Sequence, residues 1–398
     1  MSRCPRTHQD EDPARAVRGP STVASVMTTG ADRLLAAVAA YGLGEAAAAL
    51  PTVPLDDDGF AAHVRDAEGH RLLGLLGAAI GEGEFPVTAS QAASFEERLR
   101  GWLGHTLRVE RMLLQAVDAL DAAGLDHRVL KGVALAHTVY PDPAWRVFGD
   151  VDLLVPPDAL TRAAEVVAGA LGATRAQPEL RPGFENRFGK EVLLRVGSLE
   201  LDLHRTFVEG ALGLTMELDD LWGPPEHCEI GGRRLAVLPP PVQVLHAAYA
   251  VVLGDWPPRL VARRDLAQVL TVRDPDAEEV LRLARRWRAE AVLARALDHA
   301  WATLRPPATP ALVDWARTHR PGRLDRVLVG SHVGPSRAYT RHAAALLVLP
   351  GIRRRASYLR ALALPQREYL EARGMSRWRF LQRPLRVAKK VAGRRETP

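Results

Sequence analysis

Two cysteines and four lysines are all that this 398-residue chain contains of those types, and aromatic residues make up only 6%. The cysteines are Cys4 and Cys228, and Cys4 falls in a stretch that reads as an unstructured tail. A disulfide framework is therefore not expected, and a reducing compartment fits. No Cys/His group has the spacing of a zinc site. No apolar run approaches the roughly 18–20 residues needed to cross a bilayer. The opening MSRCPRTHQDEDPARAVRGP lacks the apolar core of a signal peptide. These absences set aside secreted disulfide scaffolds and membrane spans, and a cytoplasmic protein is expected. The lysines are Lys131, Lys190, Lys389 and Lys390. Arginine in place of lysine is the mark of a GC-rich coding sequence, so the net charge of +6 is weak grounds for a nucleic-acid partner.

What is present is 47% hydrophobic and 25% charged, the balance of a soluble globular chain long enough for two or three domains. Residues 1–30 read as a disordered tail, with Met27 a candidate true start. Residues 31–125 repeat apolar side chains at three- and four-residue spacing and read as helical, the last helix ending at Gly124. The texture then changes. Over 126–240 short β-type runs alternate with helices: HRVLKG, then the helix VALAHTVY, the strand WRVFGDVDLLV, a helix over DALTRAAEVVAGALGA capped by Asp158, and the strands NRFGKEVLLRV and LELDLHRTF joined at Gly197-Ser198. A peripheral loop and hairpin closes the unit. This is an α+β arrangement with a small mixed sheet. Helices return over 241–350. The final segment, 351–398, carries fourteen Arg/Lys against three Asp/Glu. With Tyr369, Trp378 and Phe380 interleaved, it suits RNA, an acidic peptide or an anionic surface, or is simply a solvated Arg-rich helix.

Asp150 and Asp152 stand two apart in an apolar strand, so both point to one face. Two close carboxylates resist joint ionisation, and a cation should hold them. Mg²⁺ is a hard ion that takes carboxylates together with substrate phosphates, and two such ions about 3.5–4 Å apart serve phosphoryl displacement. In LELDLHRTF, Glu200, Asp202 and His204 share a face. Asp202 is the candidate third ligand or general base. His204 would touch the nucleotide or bond a carboxylate, and Glu200 lies toward the strand start. Lys131 and Gly132, at a strand-to-helix junction, offer one cation, free backbone N–H groups and a close approach for phosphate. Arg146 would clamp the same triphosphate or pair with an aspartate, and Gly149 precedes the first carboxylate. His246 reads as a core histidine with a backbone partner. Arg263, Arg264 and Asp265 read as an interhelical salt-bridge turn or as a cleft lining. Lys190 reads as an edge lysine that discourages strand pairing.

The motifs LKGVALAHTVYPDPAWRVFGDVDLLV, LELDLHRTF and VLHAAYAVVLGDWPPRLVARRDLAQVL resemble the polymerase-beta-like nucleotidyltransferase superfamily. More narrowly, the chain is similar to a bacterial family of uncharacterised nucleotidyltransferases, some of which accompany peptide natural-product clusters. The resemblance covers most of the chain from about residue 35, and YLEARGMSRWRFLQRPLRVAKK is similar to that family's C-terminal segment. It implies that 126–240 is a palm domain, with Asp150, Asp152 and Asp202 as catalytic residues and ligands of two Mg²⁺ (or Mn²⁺). It further implies that Lys131, Gly132, Arg146, Gly149 and His204 lie at the nucleotide, with Lys190 a further candidate there, and that a nucleoside monophosphate passes from an NTP, ATP first, to an acceptor hydroxyl with release of pyrophosphate. The superfamily's usual Gly-Gly or Gly-Ser signature is here Lys131-Gly132-Val133, as in this family and in the related abortive-infection toxins. A small molecule, a peptide or a protein fits as acceptor; nucleic acid is not favoured. The alternatives are a catalytically silent nucleotide-binding or toxin–antitoxin regulator and an RNA 3′-end nucleotidyltransferase.

Overall fold

The computed structural model describes residues 30–44, 50–255, 257–334 and 337–375. The tail read over 1–30 lies outside the described residues except for Gly30. So do Cys4, Met27 and the basic stretch beyond 375 with Trp378 and Phe380. Four helices come first: α1 (Gly30–Ala40), α2 (Asp57–Gly69), α3 (Leu73–Gly81) and the long α4 (Ala89–Ala122). Thr88 and Gln91 form a reciprocal capping box at the α4 start, and Gly124 takes φ +66° just past its end.

The α+β unit follows as β1 (Arg128–Val129), α5 (Lys131–Thr138), β2 (Asp150–Leu154), α6 (Leu160–Leu171), β3 (Thr174–Arg175), α7 (Phe184–Phe188), β4 (Glu191–Val196), β5 (Leu199–His204), α8 (Ala211–Leu214), β6 (Glu226–Ile230) and β7 (Arg233–Val237). The seven strands form one mixed sheet in the order β3-β4-β5-β2-β1-β7-β6. β2 runs parallel to β5, and β1 parallel to β7; the other pairs are antiparallel. The β4–β5 hairpin turns at Gly197-Ser198, with Gly197 at φ +61°. From Pro240 all elements among the described residues are helical: α9 (Pro240–Leu253), α10 (Leu260–Arg273), α11 (Ala277–Arg286), α12 (Glu290–Leu304), α13 (Ala311–Thr318), α14 (Arg323–His332), α15 (Arg337–Val348), α16 (Gly351–Ala363) and α17 (Arg367–Ala372). Among the described residues no helix is long and apolar enough to cross a membrane.

Alternation along the strands divides the burial. Val151, Leu153, Val192, Leu194, Leu201 and Leu203 face the second half of α4 and α6 in one core. A larger core unites α1–α3 with α9, α10 and α12, so segments from both sides of the α+β unit share it. A third, small core packs Phe184, Phe188 and Leu180 against Tyr358, Ala345 and Ala361, fastening α15 and α16 to the sheet's β4 side.

Local structure departs from the sequence reading in several places. In WRVFGDVDLLV only Asp150–Leu154 is strand. Asp142 caps a short 3₁₀ turn at Pro143–Trp145, and the chain then leans on the helical shell. Gly74 of α3 lies so close to this turn that a Cβ would sit 2.2 Å from the Ala144 carbonyl oxygen, which only glycine permits. Asp158 caps nothing: α6 begins after Ala159 with no side-chain cap. Asn186–Phe188 are helical rather than strand. The β6–β7 hairpin is an integral part of the sheet, joined through β7 to β1. β4 is second in the sheet, with the two-residue β3 paired to Leu194 and Arg195, at the far end from Lys190.

Candidate active site

The β2–β5 register sets Asp150 opposite Glu200, Asp152 opposite Asp202, and Leu154 opposite His204. The β4–β5 register adds Leu193 opposite Asp202 and Glu191 opposite His204. Paired positions present their side chains to the same side of a sheet. One face therefore carries the acidic residues, while the other is the apolar core described above.

Asp152 is 4% exposed. Its Oδ1 accepts from Lys131 Nζ at 2.8 Å and from His204 Nε2 at 2.6 Å. Burial alone would raise its pKa, but Lys131 and His204 outweigh burial and hold it well below the usual carboxylate range. Burial, with Lys131 and Lys190 nearby, lowers His204. Its Nε2–H donates to Asp152, and its Nδ1 lies 3.3 Å from Glu191 Oε2. Burial works against the Lys131 ammonium, yet Asp152 raises its pKa.

Lys131 opens α5 at φ +40°, a left-handed conformation that an L side chain adopts at a cost of about 1–2 kcal/mol. Here the strained backbone carries the side chain that reaches Asp152. Gly132 is required by packing: a Cβ there would lie 2.7 Å from Phe148 Cβ. That reason differs from the phosphate approach read from the sequence.

Asp202 has no such support. Its Oδ1 is buried with no hydrogen-bond partner among the described residues. Burial first, then the carboxylates of Glu191 and Asp152, push its pKa up to about 8. Ligand atoms of Asp152, Asp202 and His204 lie within 4.8 Å of one another. Two facing carboxylates suit a hard divalent ion, so the residues fit Mg²⁺ or Mn²⁺. Asp150 is not in this group: its Oδ1 accepts from Arg71 Nη1 at 3.1 Å.

Several sequence readings resolve here. Arg146 takes the second of its two roles. Its Nε and Nη2 donate to Asp265 at 2.8 and 2.9 Å and its Nη1 to the Val147 carbonyl at 2.6 Å, so three of its five N–H groups are engaged within the fold while the residue still borders the cleft. His204 is fully buried behind Asp152 and orients that carboxylate instead of meeting nucleotide. Glu200 points past the site and pairs with Arg195 at 3.2 Å. Gly149 lies in the bend before β2, its carbonyl accepting from His105 Nε2 at 3.1 Å. His246 is buried and stacked on Phe207 at 4.2 Å between ring centroids, with Nε2 unpartnered rather than bonded to backbone. Arg263 donates to Thr303, and Arg264 to the Ala39 carbonyl and Gln268.

A cleft of about 570 Å³ opens over this face, and Arg71, Lys131 and Lys190 line it beside Asp150, Asp152 and Asp202. Arg71 was missed in the sequence. It belongs to the connection between α2 and α3, at φ +58°, and nothing in its neighbourhood announces a partner 79 residues away. Glu191 was also missed as a member of the site; its one signal is adjacency to a rare lysine.

The model of one protein family, described as uncharacterised nucleotidyltransferase, matches residues 58–305, more than half of the chain. No curated protein matches. Among solved structures, the antibiotic-resistance factor ANT(2″)-Ia in solution is similar at 17% identity, over 49% of this chain and 97% of that one, with a TM-score of 0.34. The same factor in complex with adenylyl-2″-tobramycin is similar at 17% identity over 45% and 97%, with a TM-score of 0.30. A nucleotidyltransferase-like protein from Paracoccidioides brasiliensis is similar at 17% identity over 49% and 93%, with a TM-score of 0.29.

Proposed function

Because the chain belongs to the uncharacterised nucleotidyltransferase family, we propose that this cleft transfers a nucleoside monophosphate from an NTP, ATP first, to an acceptor hydroxyl with release of pyrophosphate. One observation carries the reading. Asp152 and Asp202 face each other across parallel strands, beside Lys131, with one buried carboxylate oxygen left without a partner.

Asp152 and Asp202, joined by Asp150 once Arg71 turns away, would hold Mg²⁺ or Mn²⁺, which when bound neutralises phosphate charge. Lys131, Arg71 and Lys190 supply the protein's own cations to the triphosphate. The backbone N–H groups at the start of α5, that of Gly132 among them, add donors for phosphate oxygens. Asp202 takes the proton of the acceptor hydroxyl. The hydroxyl oxygen bonds to the α-phosphorus, the bond from that phosphorus to the bridging oxygen breaks, and pyrophosphate leaves with the electron pair. His204 keeps Asp152 ionised and fixed through this step. Catalysis is then mainly positioning and charge stabilisation.

The test is incubation of the full chain with [α-³²P]ATP and MgCl₂ against pooled small-molecule and peptide alcohols, following pyrophosphate release and label transfer. Both are expected from the wild type and lost in Asp152→Asn. ATP binding without any pyrophosphate release would replace this reading with that of a nucleotide-binding regulator.

A further inference from the structure

Leu193 stands directly opposite Asp202 in the β4–β5 register, so the face that carries Asp202 on β5 continues on β4 into one apolar position between Glu191 and Arg195. Above it lies a second chamber of about 560 Å³. Leu180, Phe184, Leu193, Leu362, Tyr339 and Tyr369 give it a largely apolar lining. Lys190, Glu191, Glu209 and Arg341 line both this chamber and the nucleotide cleft, so the two spaces adjoin. Its outer wall is α15, α16 and α17, which lie beyond the family match at 58–305. The small core around Tyr358, and the bonds from Gln366 to the Leu180 and Glu179 carbonyls, hold that wall to the sheet.

The charges on this chamber have partners. Arg175 pairs with Glu185 at 2.9 Å, Arg341 with Glu209, and Lys190 with Glu191. Arg373 bonds Gln177 and covers the Tyr369 ring at 4.9 Å. Arg175, Arg341 and Arg373 are thus engaged within the wall of the chamber, and a sugar-like polyol would leave its apolar walls unmatched. We propose that this chamber is the acceptor site and that the acceptor is a neutral small-molecule alcohol or phenol with an apolar body. The body rests on Leu193 and Leu362, and the hydroxyl reaches past the Lys190–Glu191 pair toward Asp202. The volume is of the size that takes a drug-sized ligand. This assignment rests on the nucleotidyl-transfer reading for its chemistry, but not for its binding.

The experiment separates the two. The neutral dye N-phenyl-1-naphthylamine is titrated into the full chain, and binding of a fluorescent ATP analogue is measured alongside. One saturable dye site is expected, weakened at least tenfold by Leu362→Trp, which fills the chamber, and retained by Leu362→Met. Tyr339→Glu, at a lip position that is 37% exposed, is the second variant and is expected to weaken the dye without unfolding the chain. Both variants keep wild-type ATP-analogue affinity. With [α-³²P]ATP and MgCl₂, 3-phenyl-1-propanol is expected to take label and glycerol not, and Leu362→Trp to remove that labelling. Absence of a saturable dye site, dye binding indifferent to both variants, or label on glycerol in preference to phenylpropanol overturns the acceptor assignment and leaves nucleotidyl transfer standing. Dye binding as expected with no ATP turnover under any condition overturns nucleotidyl transfer and leaves an apolar-ligand site.

Discussion

Asp265 and Asp152 are both buried aspartates paired with cations, yet only one of them sits in an unfinished arrangement. Asp265 accepts from two nitrogens of Arg146 and from the Tyr140 hydroxyl at 2.8 Å, and the third donor direction of Arg146 goes to a carbonyl. That set is complete and joins the turn before β2 to α10. Asp152 is also well supported, but it faces Asp202, whose buried oxygen has no partner and whose pKa is pushed up to about 8. Burial of charge does not distinguish a site from scaffold. A leftover acceptor in a cleft does.

The contrast is broken most directly at its two centres. Asp152→Asn is expected to lower nucleotidyl transfer by about 10²–10³-fold with folding intact, read by pyrophosphate release and circular dichroism. Activity near wild type would place Asp152 with the scaffold. Arg146→Met leaves Asp265 buried without its ion pair and is expected to cost about 3–5 kcal/mol in urea denaturation. The fraction that stays folded should keep its ATP affinity; a selective loss of ATP affinity in a stable variant would return Arg146 to the nucleotide.

The pH dependence sharpens the same comparison. With EDTA present, Asp202 in the folded chain keeps a proton to about pH 8, whereas an ordinary aspartate releases it near 3.8. The unfolded state therefore binds fewer protons between these values. Asp202 accordingly favours the folded state least at the alkaline end, its effect growing as pH rises from about 4 to about 8. Asp202→Asn should flatten this part of the stability curve and raise the urea midpoint at pH 8 but not at pH 4. Added Mg²⁺ should do the same for wild type only. An unchanged slope in the variant would mean that Asp202 titrates normally. A smaller effect concerns Lys131. Lys131→Gly and Lys131→Ala both lose the ammonium, but glycine accepts φ +40° freely and should be the more stable of the two by about 1 kcal/mol. Smallest of all, Glu200→Gln on the exposed end of β5 should move stability by no more than about 0.5 kcal/mol and leave transfer untouched.

The sheet and its carboxylates were legible because they follow from local rules. Period-two alternation puts Asp150 and Asp152 on one face, and the LELDLH pattern puts Asp202 on a matching one. Their partners were not legible. Arg71, Asp265 and the course of the chain over 145–149 depend on contacts between segments 79 to 119 residues apart. Arg146 in particular carries no local mark that separates a phosphate clamp from a salt bridge. The position of β4 inside the sheet was equally hidden, because β3 is only two residues long and gives no periodic signal.

Helix α1 buries Leu35, Val38 and Ala39 in a core completed by α10 and α12, and Arg264 of α10 donates to the Ala39 carbonyl. On the ribosome that first helix emerges long before the segments it needs. Its apolar side must wait, shielded or loosely collapsed, through synthesis of the whole sheet. The order of translation and the order of assembly are therefore opposed in this chain, and a block after residue 240 would release a nascent polypeptide in which α1 has only α2 and α3 to pack against.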